Sequence, residues 1–176
     1  MPLVVSITQE DVYTLLRTLV IAVVPAGVGV VRGLGNRTSM PPPDPGCVVM
    51  TATGFTNHRT PVESWDRDSS NPDAIAYEQG TLLRVQLDCY GANSQDWAVA
   101  LATILRTEFA CRILAPCAPL FADAPMQAAL INSEAQYEQR WIVGANLQYN
   151  PVVSTPMQFA DTAEVTLINV DERFPP

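Results

Sequence analysis

The sequence predicts an α+β fold: a mixed, mainly antiparallel sheet flanked by two main helices, with an extended proline-tipped hairpin arm. Three observations carry that expectation. Residues 79–90 and 137–149 alternate apolar and polar side chains with the two-residue period of a strand. Residues 8–24 and 94–109 instead repeat apolar positions every three or four places, as a helix with one buried face requires. A proline cluster at 41–45 fits neither kind of element and marks a stiff, extended tip.

Taken in order, Thr8 opens a capping pattern with Glu10 and Asp11 in the first turn, where the helix dipole favours acidic groups. Val12, Leu15, Leu16, Leu19, Val20 and Val23 form the apolar face, and Pro25 with Gly27 ends the helix. The β-branched run 28–32 then leads through Gly33 and Gly35 to Pro41, Pro42, Pro43 and Pro45, and a returning strand is expected over 47–55. Residues 32–46 form the expected arm. From 57 to about 75 the composition turns polar, with Pro61 and Pro72, and reads as a long mobile or functional loop.

In the strand over 79–90, Leu83, Val85, Leu87 and Cys89 point one way and Arg84, Gln86 and Asp88 the other. One face is core and the other is open to a partner. Gly91 breaks the strand, Asn93 or Ser94 caps a helix, and Ala98, Leu101, Ala102, Leu105 and Phe109 line its buried side. Residues 111–124 read as an apolar connection broken by prolines, and 126–130 as a helical turn or loop. The strand over 137–149 sets Trp141, Val143, Ala145, Leu147 and Tyr149 against Arg140, Ile142, Asn146 and Gln148, so it should pair antiparallel with the earlier one. A last strand is expected over 163–170, followed by a polar tail.

The 176 residues suit a single domain over 1–176, large enough to bury roughly two thirds of its unfolded surface. The balance of 10 basic against 18 acidic residues, formally −8, disfavours a general grip on nucleic acid through phosphate neutralisation. Every basic residue is arginine, which fits a GC-rich genome and also suits planar interface contacts. The segment 12–31 resembles a membrane span only superficially, because Arg17, Pro25 and Gly27 interrupt it. No basic n-region precedes it, so neither a membrane anchor nor a signal peptide is expected.

Catalytic and metal chemistry finds little footing. Cys47, Cys89, Cys111 and Cys117 contain no CxxC pair, and His58 is the single histidine. Reduced thiols and folding in a reducing cytoplasm are the simplest expectation. No Gly-x-Ser-x-Gly elbow or activated cysteine accompanies His58, which reads as a solvated loop residue. Glu63, Asp66 and Asp68 lack the spacing of a calcium loop and read as a solvated charge cluster beside Arg67. Gly27-x-Gly29 and Gly33-x-Gly35 lack the Gly-Lys-Ser/Thr of a phosphate loop, in a chain without lysine. No cofactor is expected. Trp141 falls in strand register as core, whereas Trp65 beside Arg67 suits either an interface anchor or packing on its own domain.

The run Arg84-Val85-Gln86-Leu87-Asp88-Cys89-Tyr90-Gly91, the helix carrying Trp97-Ala98-Val99-Ala100, and Tyr137-Glu138-Gln139-Arg140-Trp141 together resemble the neck and tail-terminator proteins of tailed bacteriophages. The resemblance implies a structural virion protein that is not an enzyme and forms a hexameric ring at the head-proximal end of the tail. Such a ring stops tube growth and meets a tail tube protein, or a tail sheath protein, on one side and a head-completion or connector protein on the other. Genomic DNA passes through its channel unbound, and the host cytoplasm is where it assembles. Arg32, Arg37, Pro41, Pro42, Pro43, Trp65 and Arg67 are the expected interface residues. Another head–tail connector or a tail-completion protein of the same fold is the nearest alternative; a small hydrolase or ligand-binding domain using His58 is the more remote one.

Overall fold

A computed structural model describes residues 4–35, 44–65, 74–131, 137–156 and 164. The chain begins with β1 (Val4–Val5) and α1 (Gln9–Val23), followed by β2 (Gly29–Arg32), β3 (Cys47–Asn57), β4 (Val62–Trp65), β5 (Ala74–Glu78) and β6 (Thr81–Tyr90). Two helices come next, α2 (Ser94–Ile104) and α3 (Glu108–Leu114). The remaining strands are β7 (Ala118–Ala122), β8 (Met126–Gln127), β9 (Leu130–Ile131), β10 (Tyr137–Glu138), β11 (Arg140–Tyr149) and β12 (Val152–Pro156). The α+β class holds, with three helices among the described residues.

Helix α1 starts where its capping residues place it. The Asp11 amide donates to Thr8 Oγ1 at 3.2 Å, and the Thr8 amide donates back to Asp11 Oδ2 at 2.8 Å. These two bonds satisfy donors that a helix start otherwise leaves exposed. Val12, Tyr13, Leu16, Leu19 and Val20 are buried, as the periodicity requires.

The six-stranded sheet runs in the order β2-β3-β6-β11-β7, with β8 also paired to β11. β6 and β11 pair antiparallel as expected, Leu87 opposite Val143 and Leu83 opposite Leu147. On β3, Val48 and Met50 extend the same rows beside Cys89 and Leu87. All three helices pack on that face, and Leu16, Leu19, Val48, Leu83, Leu87, Leu101, Leu114 and Leu147 are almost completely buried there. Each such side chain contributes about 2 kcal/mol through removal from water. At the turn into β3, Gly46 has φ +101°, and an added Cβ would collide with the Tyr90 carbonyl oxygen. A side chain at this position would therefore displace β3 from β6.

A second sheet, ordered β1-β12-β5-β4, continues the two central strands beyond the core. Thr81 pairs with Tyr149 and Glu78 with Val152, so the register runs unbroken across Gly80 and Pro151. The Gln79 amide bridges the break by donating to the Pro151 carbonyl at 3.0 Å. β4 flanks β5 on the side away from β12, with Val62 opposite Glu78 and Trp65 opposite Ile75. The result is a β-arm that projects about 17 Å over five residues of strand.

Several expectations need correction. β2 and β3 run parallel, Gly29 beside Cys47 and Arg32 beside Met50, so their connection is a crossover and they are not the two legs of a hairpin; residues 36–43 of the expected arm lie outside the described residues. β2 is held at the outer edge of β3, reached from α1, and a parallel pair demands a long return. The polar stretch from 57 to about 75 is not one loop, because β3 reaches Asn57, β4 spans Val62–Trp65 and β5 begins at Ala74; residues 66–73 lie outside the described residues. On β4, exposure on both faces leaves no alternation to signal a strand. The second helix breaks at Thr107, whose extended backbone caps α3, so Phe109 and Cys111 belong to a separate helix. Residues 126–130 contribute strand pairings rather than a helical turn: β8 pairs with β11, and β9, beginning at Leu130, pairs with β10. The long strand begun at Tyr137 is split into β10 and β11. The strand expected over 163–170 lies outside the described residues apart from Glu164, while β12 had no counterpart in the sequence reading.

Candidate assembly surfaces

The face of the main sheet opposite the helices is polar and internally paired. Arg140 reaches from β11 to Asp88 on β6, with Nη2 and Nε donating to Oδ1 at 2.9 and 3.1 Å. Gln86 Nε2 donates to both Asp88 oxygens at 3.0 Å, and the Arg140 guanidinium lies 5.7 Å from the Tyr90 ring centre. Asp88 is only 4% exposed, so its charge is sustained by these donors rather than by water. Further along, Arg84 meets Asp123 at 3.5 Å across Gly144, where an added Cβ would strike the Asp123 carboxylate. A shallow depression of about 360 Å³ lies there, lined by Arg84, Gln86, Asp123, Met126 and Ile142 among others. It contains no nucleophile–base pair.

The cysteines are equally quiet. Burial, reinforced by Asp88 and Cys47, pushes the Cys89 thiol up to about 12, and burial also raises Cys47 and Cys117. Such thiols are protonated and inert at neutral pH. Cys111 alone is exposed. Among the described residues no cluster of three His, Cys, Asp or Glu is arranged to hold a metal ion. No helix among them is long and apolar enough to cross a membrane.

The residues singled out from the sequence scatter over the molecule. Arg32 bonds Glu10 at 2.9 Å and stacks 4.2 Å over the Tyr13 ring, so it ties β2 to α1 within its own chain. Trp65 ends β4 and is 57% exposed, a strand position rather than a loop. Glu63 also lies on β4, and exposed His58 donates its amide to the Gly80 carbonyl at 3.0 Å. Arg37, Pro41, Pro42, Pro43, Asp66, Arg67 and Asp68 lie outside the described residues.

Sequence reasoning missed the exposed corner where α3 packs against β7. Phe109 was assigned to a buried helix face, yet it is 39% exposed, and Leu120 and Phe121 are 53% and 50% exposed. The Arg106 guanidinium lies 5.2 Å from the Phe121 ring centre and bonds the Ala122 carbonyl. The Arg106-Thr107 break was the available signal, since a threonine that caps a new helix rotates everything after it.

The described residues thus form a scaffold with exposed strand and apolar surfaces. No curated protein matches the chain. The family model described as phage neck terminator protein matches residues 10–171, nearly the whole length, and the chain belongs to this family of structural phage neck proteins.

Proposed function

We propose that this protein is a tail terminator: a hexameric ring, without enzymatic activity, that caps the head-proximal end of the tail tube and joins it to the head-completion proteins. The observation that carries the reading is the family match across residues 10–171. The architecture supports it, because a helix-backed sheet gives a rigid body and the β-arm gives reach. A contact between two different surfaces of one chain, repeated by rotation, closes into a ring. The formal charge of −8 suits a channel through which DNA slides without sticking.

Two elements are assigned to contacts. The crossover between β2 and β3, bearing Arg37, Pro41, Pro42 and Pro43, reaches the adjoining tail or neck ring, since prolines lose little entropy on docking. The β4–β5 hairpin, bearing Trp65 and Arg67, serves contacts within the ring. The single domain assembles in the host cytoplasm and resides in the virion neck. Negative-stain imaging of the purified protein, alone and mixed with tail tubes, tests this: rings capping tube ends are expected. Persistent monomers that leave tube ends bare would refute it.

A further inference from the structure

We infer that the outer edge of β4 docks on the α3–β7 corner of a second copy of this chain. The inference rests on the ring reading above and supplies the two surfaces that meet.

The first surface is an arm with little core of its own. Ile75 is the buried residue among the described side chains of β1, β4, β5 and β12, and all four residues of β4 are exposed. Among the described residues no strand pairs with the outer edge of β4, and an edge strand exposed in this way needs cover. Val62 and Trp65 offer apolar area, 45% and 57% exposed, and Glu63 between them offers a carboxylate.

The second surface has the complementary chemistry. Phe109 and Phe121 offer exposed rings at the α3–β7 corner, and Arg112 in the last turn of α3 forms no ion pair with any described residue. Glu63 and Trp65, two residues apart, share one face of β4, and Phe109 and Arg112, three apart, share one side of α3, so a carboxylate beside an indole has a guanidinium beside a phenyl ring to meet. Tryptophan and arginine are the residue types that most often anchor interfaces.

Topology sets these surfaces on opposite flanks. β4 lies on the β3 side of the long β5–β6/β11–β12 ribbon, whereas β7 lies beyond β11 on the other side. Patches on opposite flanks cannot satisfy each other within one chain. Between chains they give a head-to-tail contact, the kind that propagates around a ring.

Cysteine chemistry gives a direct test, because Cys111 is exposed beside Arg112 while Cys47, Cys89 and Cys117 are buried. In the full chain, Glu63→Cys under mild oxidation should yield a ladder of disulfide-linked oligomers that vanishes when Cys111→Ser is added. Separately, Glu63→Arg and Arg112→Glu should each weaken association about tenfold in analytical ultracentrifugation, and the double reversal should restore it. A linked dimer that persists with Cys111→Ser would mean that β4 meets β4, and would overturn the pairing. Single reversals that leave rings intact would overturn it as well, with the ring reading still standing. A wild-type chain that stays monomeric, alone and on tails, would sink both.

Discussion

The main sheet and the arm are built from the same two stretches of chain in one continuous register, yet they are held together differently. Below Gly80 and Pro151 the β6–β11 pair lies under three helices, with Val85, Leu87, Cys89, Val143 and Leu147 at most 1% exposed. Beyond that boundary the β5–β12 pair keeps the same antiparallel hydrogen bonding, but of its residues only Ile75 is buried. Strand pairing is common to both regions and so cannot account for the difference. Burial of one face under helices distinguishes them, because hydrogen bonds gain little net free energy against water whereas apolar burial gains a great deal.

The largest effect should follow from breaking the covered side. Leu87→Ala, in the central strand beneath the helices, should cost about 3 kcal/mol in urea unfolding. A loss below 1 kcal/mol would show that the helical layer is not what stabilises the sheet. Next comes the paired face opposite: Asp88→Ala strands Arg140, which is 26% exposed at its side chain, and should cost about 2 kcal/mol. If Arg140→Met in the same background recovers most of that loss, the cost came from the unpaired charge rather than from packing.

A smaller loss, about 1 kcal/mol, is expected from Thr8→Ala at the start of α1. It should also carry a pH signature. Side-chain and backbone hydrogen bonds from Thr8 hold the Asp11 carboxyl below its ordinary value. The contribution is therefore present at neutral pH and lost as pH falls below about 4, through the folded-state value. Equal acid sensitivity in wild type and Thr8→Ala, read from thermal melts, would contradict the cap assignment.

The smallest effects belong to the arm. Val62→Ala and His58→Ala should each change the stability of the isolated chain by less than about 0.5 kcal/mol. For His58→Ala, ring assembly should also be unchanged, since its amide bond to Gly80 survives the substitution. If Val62→Ala destabilised the chain as much as Leu87→Ala, the contrast between the two regions would fail.

How much was legible depended on whether burial left a pattern in the sequence. Alternation at Leu83, Val85, Leu87 and Cys89 announced β6, and the spacing of Val12, Leu16, Leu19 and Val20 announced α1, because one face of each is dry. β4 gave no such signal because all four of its residues are exposed, and β12 gave none because no buried row alternates with an exposed one along it. The α3–β7 corner was hidden for a related reason: Phe109 continues the apolar spacing of α2, but the extended backbone at Thr107 ends that helix and starts another, on which Phe109 is exposed.

By itself the sequence determined the α+β class, the first helix with its cap, the antiparallel partnership of the two central strands and the resemblance to phage neck proteins. These are local periodicities or contiguous motifs, and short-range chemistry is enough to specify them. Tertiary structure alone decided that β2 runs parallel to β3, that the two central strands continue past Gly80 and Pro151 into β5 and β12, and that Arg32 turns inward to Glu10 and Tyr13. Each of these depends on which distant segments come to lie side by side. That choice is made by the total apolar surface buried when helices and sheet close on one another, a quantity no single stretch of sequence carries.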